Sequence, residues 1–398
     1  MLALDCSLPF DPSRDDEFFS SLPARPAVLL IELHQAHAEP YLVRTADMRR
    51  RLENLLRLPA GLSRRLSLRE VTARVRYRLT GSSFEQSLVL YQQARLLFPG
   101  RYRDLLRLRP ATLLKVNLAN EYPRCYVTRR ILADRGFYFG PFASRRVAEK
   151  SLNEILDLFK LRRCQIKIRR DPSFPGCIYS EMKMCMAPCF AGCSKSEYDV
   201  ETTRVVAFLA SSGASLQSEW ERERNQASEA LDFEQAARLH RRLEKLAEVT
   251  NGLPKLPRSL DALHAVILQP AAAAHTVAVF TVRGGRFCEP FLLNFDQFSS
   301  DARSAEAVLR AHLESTAEPM APEAEAGGVK SEALPLPAYN EVLADHLALL
   351  AQWYYGKPRS GEILFPQSDR AFPRAPDMPW PYRRIMRACS RLLASETQ

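Results

Sequence analysis

Short apolar runs and alternations divide most of the chain into recognisable elements. Residues 27–33 form an apolar run of strand length, and residues 39–43 form a second after a loop. From Ala46 to Leu58 the apolar spacing becomes helical, with Asp47 near the start and Pro59 just beyond the end. Residues 69–79 alternate apolar and basic side chains, as a half-buried strand does, and Phe84 to Phe98 reads as a helix. Residues 197–249 carry helical spacing with few breakers. Asn251 to Arg258 holds two prolines and reads as a linker. Strands follow at Leu263–Gln269, His275–Val282 and Phe291–Phe295, with Arg283-Gly284-Gly285-Arg286 as a hairpin turn. Residues 1–25 are mixed and polar and are expected to fray. Residues 315–337, rich in Ala, Pro, Glu and Gly, are expected to be a disordered insertion. The pattern predicts a multidomain α+β protein.

Charge narrows the choice of partners. The chain has 398 residues, enough for two to four domains, and a net charge of +10. Residues 41–110 hold sixteen Arg against five acids, and residues 124–170 hold thirteen Lys plus Arg against four. Such basic stretches suit a polyanion, nucleic acid first and an anionic membrane surface second. No apolar run reaches bilayer length. Residues 1–20 carry acids and no apolar core, so the expectation is a cytoplasmic protein.

Five of the nine cysteines lie between Cys164 and Cys193, spaced as Cys164, Cys177, Cys185, Cys189 and Cys193. In a reducing compartment such a cluster points to a metal site rather than disulfides. Thiolates suit zinc, copper(I) or iron–sulfur clusters, and the spacing matches neither a zinc ribbon nor the ferredoxin run. The competing account is a set of buried free thiols. Arg162, Arg163 and Lys183 are expected to lower the thiol pKa values and favour ligation.

The surroundings of the cysteines carry separate motifs in order: Tyr122-Pro123-Arg124, Thr128-Arg129-Arg130, Tyr138-Phe139-Gly140-Pro141-Phe142 and Cys185-Met186-Ala187-Pro188-Cys189. Through them the chain resembles the UvrC family, the nuclease subunit of bacterial nucleotide excision repair. The resemblance implies a four-iron, four-sulfur cluster at Cys164, Cys177, Cys185 and Cys189, with zinc as the alternative and Cys193 as a bystander. It also implies damaged double-stranded DNA and UvrB as partners. Leu231 to Ala237 resembles the UVR motif, whose docking residues would be Phe233, Glu234, Ala236 and Ala237. The family's Arg-Asp pair is His240-Arg241 here. Arg129, Arg130, Arg145 and Arg146 are expected to contact phosphates. Interleaved Tyr126, Phe137, Tyr138, Phe139 and Phe142 would stack on bases or, for about half of them, pack internally.

Residues 1–110 resemble the GIY-YIG nuclease domain in element order and in the stretch Tyr41 to Leu52. Tyr41 and Arg51 stand at the family's second tyrosine and its arginine. Leu29 stands at the first tyrosine, Val43 at the glycine and Tyr91 at the metal-binding glutamate. Leucine cannot act as a base, and a phenol is a poor magnesium ligand. The domain is therefore expected to be a GIY-YIG-like fold without a working site, and magnesium would matter only if the site were alive. The implied organisation is this domain, a cysteine-cluster domain over 111–205 with a strand at Leu113–Val116, a UVR helical hairpin over 206–250 and a partial RNase H-like region over 258–398. That last region would hold a helix at Leu343–Tyr355 and a strand at Glu362–Pro366. The expected role is a repair protein that binds DNA and UvrB without cutting. One alternative is a Cho-like endonuclease making a single incision, which needs a carboxylate near residues 85–91 to reach Tyr41 and Arg51. The other is a metal-stabilised nucleic-acid-binding protein outside excision repair.

Overall fold

Three antiparallel sheets and a helical hairpin make up the protein in a computed structural model that describes residues 2–35, 38–57, 68–299, 304–315, 336–366 and 380–396. The first sheet has the order β1-β4-β2-β3, from β1 (Cys6–Pro9), β2 (Ala27–Leu33), β3 (Tyr41–Thr45) and β4 (Thr72–Leu79). The helices of this unit are α1 (Asp15–Ser21), α2 (Met48–Leu56), α3 (Leu68–Val71), α4 (Ser83–Leu97) and α5 (Tyr102–Leu105). Asp47 caps α2 by accepting from the Arg50 amide, and Ser82 caps α4 by accepting from the Glu85 amide.

Strand β2 is buried on both faces. Ala27, Leu29 and Ile31 pack with Leu52 and Leu56 of α2, whereas Val28 and Leu30 pack with Phe84, Leu88 and Tyr91 of α4. The N-terminal stretch does not fray. It supplies the edge strand β1 on β4 and the helix α1. Phe10, Phe18, Phe19 and Leu22 join the α2-side core, with Phe10 and Phe18 edge-to-face at 5.0 Å. Three clustered rings bury enough apolar surface to order a segment whose average composition is polar.

The middle unit is built on a sheet of order β6-β5-β7-β8, from β5 (Thr112–Asn117), β6 (Cys125–Thr128), β7 (Gly136–Phe142) and β8 (Arg258–Ser259). Helices α6 (Arg145–Leu156), the short α7 (Ile178–Glu181) and α8 (Lys195–Ala210) complete it. Helices α9 (Ala214–Glu229) and α10 (Phe233–Gly252) form the hairpin, and Trp220, Leu239, Leu246 and Val249 tie it into the middle core. The stretch read as a linker returns to the middle unit, because Arg258–Ser259 pairs with β7.

The C-terminal unit has strands β9 (Ala265–Pro270), β10 (Thr276–Arg283), β11 (Arg286–Phe287), β12 (Phe291–Asn294) and β13 (Glu362–Leu364), in the order β11-β10-β9-β13 with β12 also on β10. Helices α11 (Ala305–Ser315), α12 (Leu336–Tyr355) and α13 (Tyr382–Glu396) accompany it. The turn after β10 needs Gly284 and Gly285, at φ +54° and +76°. The predicted insertion falls mainly on residues 316–335, outside the described residues. Among the described residues no helix is long and apolar enough to cross a membrane.

The first and C-terminal units share one apolar core. Phe84 of α4 meets Phe280, Phe287 and Trp353 at ring distances of 5.1, 5.5 and 5.0 Å. Gly81 allows the two backbones to touch: a Cβ there would lie 2.2 Å from the Ala271 carbonyl carbon.

Candidate functional site

The cysteine loop hangs between α6 and α8 and is braced from below by Arg162 and Tyr198. Arg162 is almost fully buried. Its Nε donates to the Tyr122 carbonyl at 2.8 Å, and its Nη1 donates to the carbonyls of Cys164 and Ile166 at 3.1 and 3.0 Å. Tyr198 donates to the Pro123 carbonyl at 2.7 Å and accepts from the Arg162 amide at 3.2 Å. The Tyr122-Pro123 motif is thus a shelf for the loop. Lys183, Ala187 and Ala191 adopt left-handed backbone at φ +55°, +56° and +64°, conformations that non-glycine residues hold only where the surroundings demand them.

Two donors point at sulfur in this loop. The Ala187 amide lies 3.3 Å from Cys185 Sγ, and Arg162 Nη1 lies 3.8 Å from Cys164 Sγ. Burial pushes the Cys185 thiol up to about 11, and the neighbouring Cys164, Cys177 and Cys189 add to it. Cys189 is raised by the same causes. Cys185 and Cys189 thus lie within electrostatic reach of Cys164 and Cys177, and burial favours the protonated form of Cys185 and Cys189. This corrects the expectation that basic neighbours lower them. Arg163 is paired with Asp157 at 2.6 Å, and burial outweighs the remaining charges. Among the described residues no three His, Cys, Asp or Glu side chains stand close enough to hold a single metal ion. Soft thiol donors with an amide and a guanidinium aimed at sulfur match an iron–sulfur group in donor chemistry. Cys193 is buried in the middle core.

The basic surface beside this loop divides in two. Arg129, Arg130 and Arg146 are exposed, and no carboxylate is paired with them among the described residues. Arg145 is exposed but bound to Glu149 at 2.7 Å. Of the aromatic residues, Tyr126 and Phe137 are half-buried, with Arg124 stacked 4.5 Å over Tyr126. Tyr138, Phe139 and Phe142 are core residues. Tyr138 faces the buried Lys115, which is paired with Asp134.

In the first unit, Arg51 Nη2 donates to the Tyr41 hydroxyl at 2.8 Å. Both lie on the α2 side of the sheet, with Leu29 and Val43 in the core beneath. Helix α4 covers the opposite side. Tyr91 is buried there and its hydroxyl donates to Asp345 of α12 at 3.2 Å. Glu85 is also on α4, accepting from the Gly81 amide at 2.9 Å. The sheet therefore separates the α4 carboxylate from the Tyr41–Arg51 pair. Asp345 was not legible as a key residue. It gathers Tyr91, the Tyr102 hydroxyl at 2.5 Å and Arg103 Nε at 2.8 Å, residues more than 240 positions away in sequence.

At the tip of the hairpin, Leu231 takes φ +60° and Asp232 caps α10 by accepting from the Gln235 amide at 3.0 Å. This turn leaves Leu231 and Phe233 72% and 66% exposed. Glu234 and Ala237 are exposed beside them, and Ala236 is half-buried. His240 is an exposed helix residue 3.5 Å from Glu244.

Comparison with known proteins matches these parts in order. Residues 111–208 match the family described as the UvrC/Cho excinuclease middle domain, and residues 214–249 match the UvrB/UvrC motif. The UvrABC system protein C of Dehalococcoides mccartyi is 28% identical over 271 residues, covering 67% of this chain and 44% of that protein. The protein of the same name from Hyphomonas neptunium is 28% identical over 273 residues, covering 68% and 44%. That from Serratia proteamaculans is 29% identical over 211 residues, covering 53% and 34%. The chain thus spans less than half the length of these relatives. No solved structure matches it. The chain is UvrC-like: a match to the UvrC/Cho middle domain is followed directly by a match to the UvrB/UvrC motif.

Proposed function

We propose that this protein is a cytoplasmic excision-repair component that docks on UvrB through its hairpin tip and holds damaged duplex DNA on the middle unit. The observation that carries this reading is the tip itself. Two large apolar side chains, Leu231 and Phe233, stand exposed in the segment matched to the UVR motif, while the rest of the hairpin's apolar face is packed. Exposed apolar side chains on a rigid turn suit a partner hairpin. The test is direct binding to UvrB, measured by calorimetry. Phe233→Ala with Leu231→Ser should weaken binding at least tenfold without changing melting. Unchanged affinity would refute the docking. Arg129, Arg130 and Arg146 would contact phosphates, so duplex affinity should fall steeply with salt, and their reversal to Glu should flatten that dependence.

The cysteine loop would hold an iron–sulfur cluster through Cys164, Cys177, Cys185 and Cys189, with zinc as the alternative. Its contribution would be to pin α7 and the residues around Pro188 against the Tyr122-Pro123 shelf. In the GIY-YIG-like first unit, the placement of Glu85 and Tyr91 on the far side of the sheet argues against metal-assisted hydrolysis, which needs a carboxylate-held ion at the phosphate. In the C-terminal unit, the RNase H-like reading gains no catalytic carboxylate from Asp345, which is fully engaged with its three donors.

A second reading, a Cho-like endonuclease, has the Tyr41–Arg51 hydrogen bond in its favour and the separation of Glu85 from that pair against it. Magnesium-dependent nicking of damaged duplex by the wild type but not by Arg51→Ala would establish it.

A further inference from the structure

Where the hairpin ends, the middle unit, the returning chain and the C-terminal unit close around a cavity of about 580 Å³. Lys255, Arg258, Arg359, Tyr354, Phe365 and Phe139 line it, and no carboxylate appears among its described lining residues. Arg258 Cζ sits over Phe365, 3.5 Å from the ring centre. Its Nη1 is held by the carbonyls of Lys255 and Leu256 at 2.8 and 3.1 Å. Arg359 stacks over Tyr354 at 4.8 Å. Neither guanidinium has a carboxylate partner among the described residues. Burial draws the Arg258 pKa down to about 10.

A largely buried guanidinium with no carboxylate beside it among the described residues is an expensive arrangement, and it becomes favourable when an anion enters. With Nη1 held by two carbonyls, Arg258 keeps its Nε–Nη2 edge for a phosphate. The volume far exceeds one phosphate ion and falls within the range of small-ligand pockets. Tyr354 and Phe365 are half-exposed and offer ring surface, which suits bases and gives an acidic peptide no advantage. A duplex is too wide to enter such a cleft. We infer that this junction holds a single-stranded nucleic-acid segment of one or two nucleotides, with its phosphates on Arg258 and Arg359. The site is separate from the exposed arginines of the middle unit, and the inference rests only on the reading that the protein binds nucleic acid.

The test is fluorescence anisotropy on the full chain with a labelled oligothymidylate and, separately, a blunt duplex of equal length. Arg359→Ala should weaken single-strand binding roughly tenfold, as expected for losing one charge-assisted contact. Its salt slope should fall by about 0.7 for the lost phosphate, while duplex affinity changes less than twofold. Arg258→Lys keeps the charge and removes the fork. It should weaken the single strand while melting like the wild type. Arg129→Glu with Arg130→Glu should show the opposite preference and weaken only the duplex. If the two cleft variants bind the single strand like the wild type while duplex binding persists, the cleft inference fails and the middle-unit reading stands. If the wild type binds neither nucleic acid, both fail. Displacement of the oligothymidylate by a polyglutamate peptide at equal charge would overturn the inference in favour of an acidic protein segment.

Discussion

Replacing Asp345 with alanine should loosen the contact between the first and C-terminal units. The carboxylate is 3% exposed and accepts from Tyr91, Tyr102 and Arg103. Its removal orphans the Tyr91 hydroxyl, which is buried, at a cost of about 1–3 kcal/mol. It also strips Arg103 of its main partner, but that side chain is 42% exposed and can turn to water. The whole change should therefore fall between the ~1 kcal/mol of an exposed pair and the ~3–5 kcal/mol of a fully buried one, at about 3 kcal/mol. At roughly 2–4 °C per kcal/mol, melting should drop by roughly 6–12 °C. Arg103→Ala should cost only about 1 kcal/mol, and the double variant should show less than the sum. The tyrosines supply a pH signature. Burial, followed by the bond to Asp345, pushes Tyr102 up to about 12, and burial with the Asp345 charge moves Tyr91 in the same direction. A raised pKa keeps the folded state protonated, so this stability is intact below about pH 10, where free tyrosine ionises, and is lost as pH rises toward 12. The loss should be shallower in Asp345→Ala. Calorimetric melting and urea titration at neutral and alkaline pH provide the measurement. If Asp345→Ala melts within 1 °C of wild type and keeps the same alkaline slope, the junction does not depend on this carboxylate.

Gly81→Ala should destabilise the same junction by about 1–3 kcal/mol, because its Cβ would meet the Ala271 backbone rather than a movable side chain; a wild-type melting temperature would refute this. Cys185→Ser should remove bound metal and make residues 164–193 sensitive to protease. Elemental and sulfide analysis of anaerobically purified wild type checks the premise, and the absence of iron, sulfide and zinc would sink it. Burial holds His346 down to about 3, and its Nδ1 accepts from the Phe287 amide at 3.0 Å. A depressed pKa means stability is present above the unfolded value near 6.5 and is lost as pH falls toward 3. His346→Asn should lower stability at pH 7.5 and flatten the acid slope, leaving the smaller parts that belong to His264, held down to about 4, and to His312, lowered by burial.

The sequence alone determined the local pieces. Short apolar runs and the alternation over 69–79 located β2, β3, β4, β9, β10 and β12 within a few residues, and helical spacing with Asp47 and with few breakers over 197–249 located α2 and the hairpin. The ordered motifs around the cysteines carried the likeness to UvrC, which the match over residues 111–208 supports, because several short matches at fixed gaps are hard to meet by chance. Only the tertiary structure decided what faces what. Alternation along β2 shows that Leu29 and Leu30 point to opposite sides, but not which helix covers each side. That assignment put Tyr91 across the sheet from Tyr41 and Arg51 and gave it Asp345 as a partner. The ordering of residues 1–25 depended on Phe10, Phe18 and Phe19 meeting one another and the Leu29 face, contacts that an average over polar neighbours hides. The pull of burial on the thiols opposed the pull of their basic neighbours, and the sequence shows only the second. The cleft at Arg258 and Arg359 joins residues about a hundred positions apart, and β8 pairing with β7 fixes only the first of them. Short-range patterns act through local backbone and solvent preferences. Long-range contacts depend on which buried surfaces close together, and that is settled only when the whole chain packs.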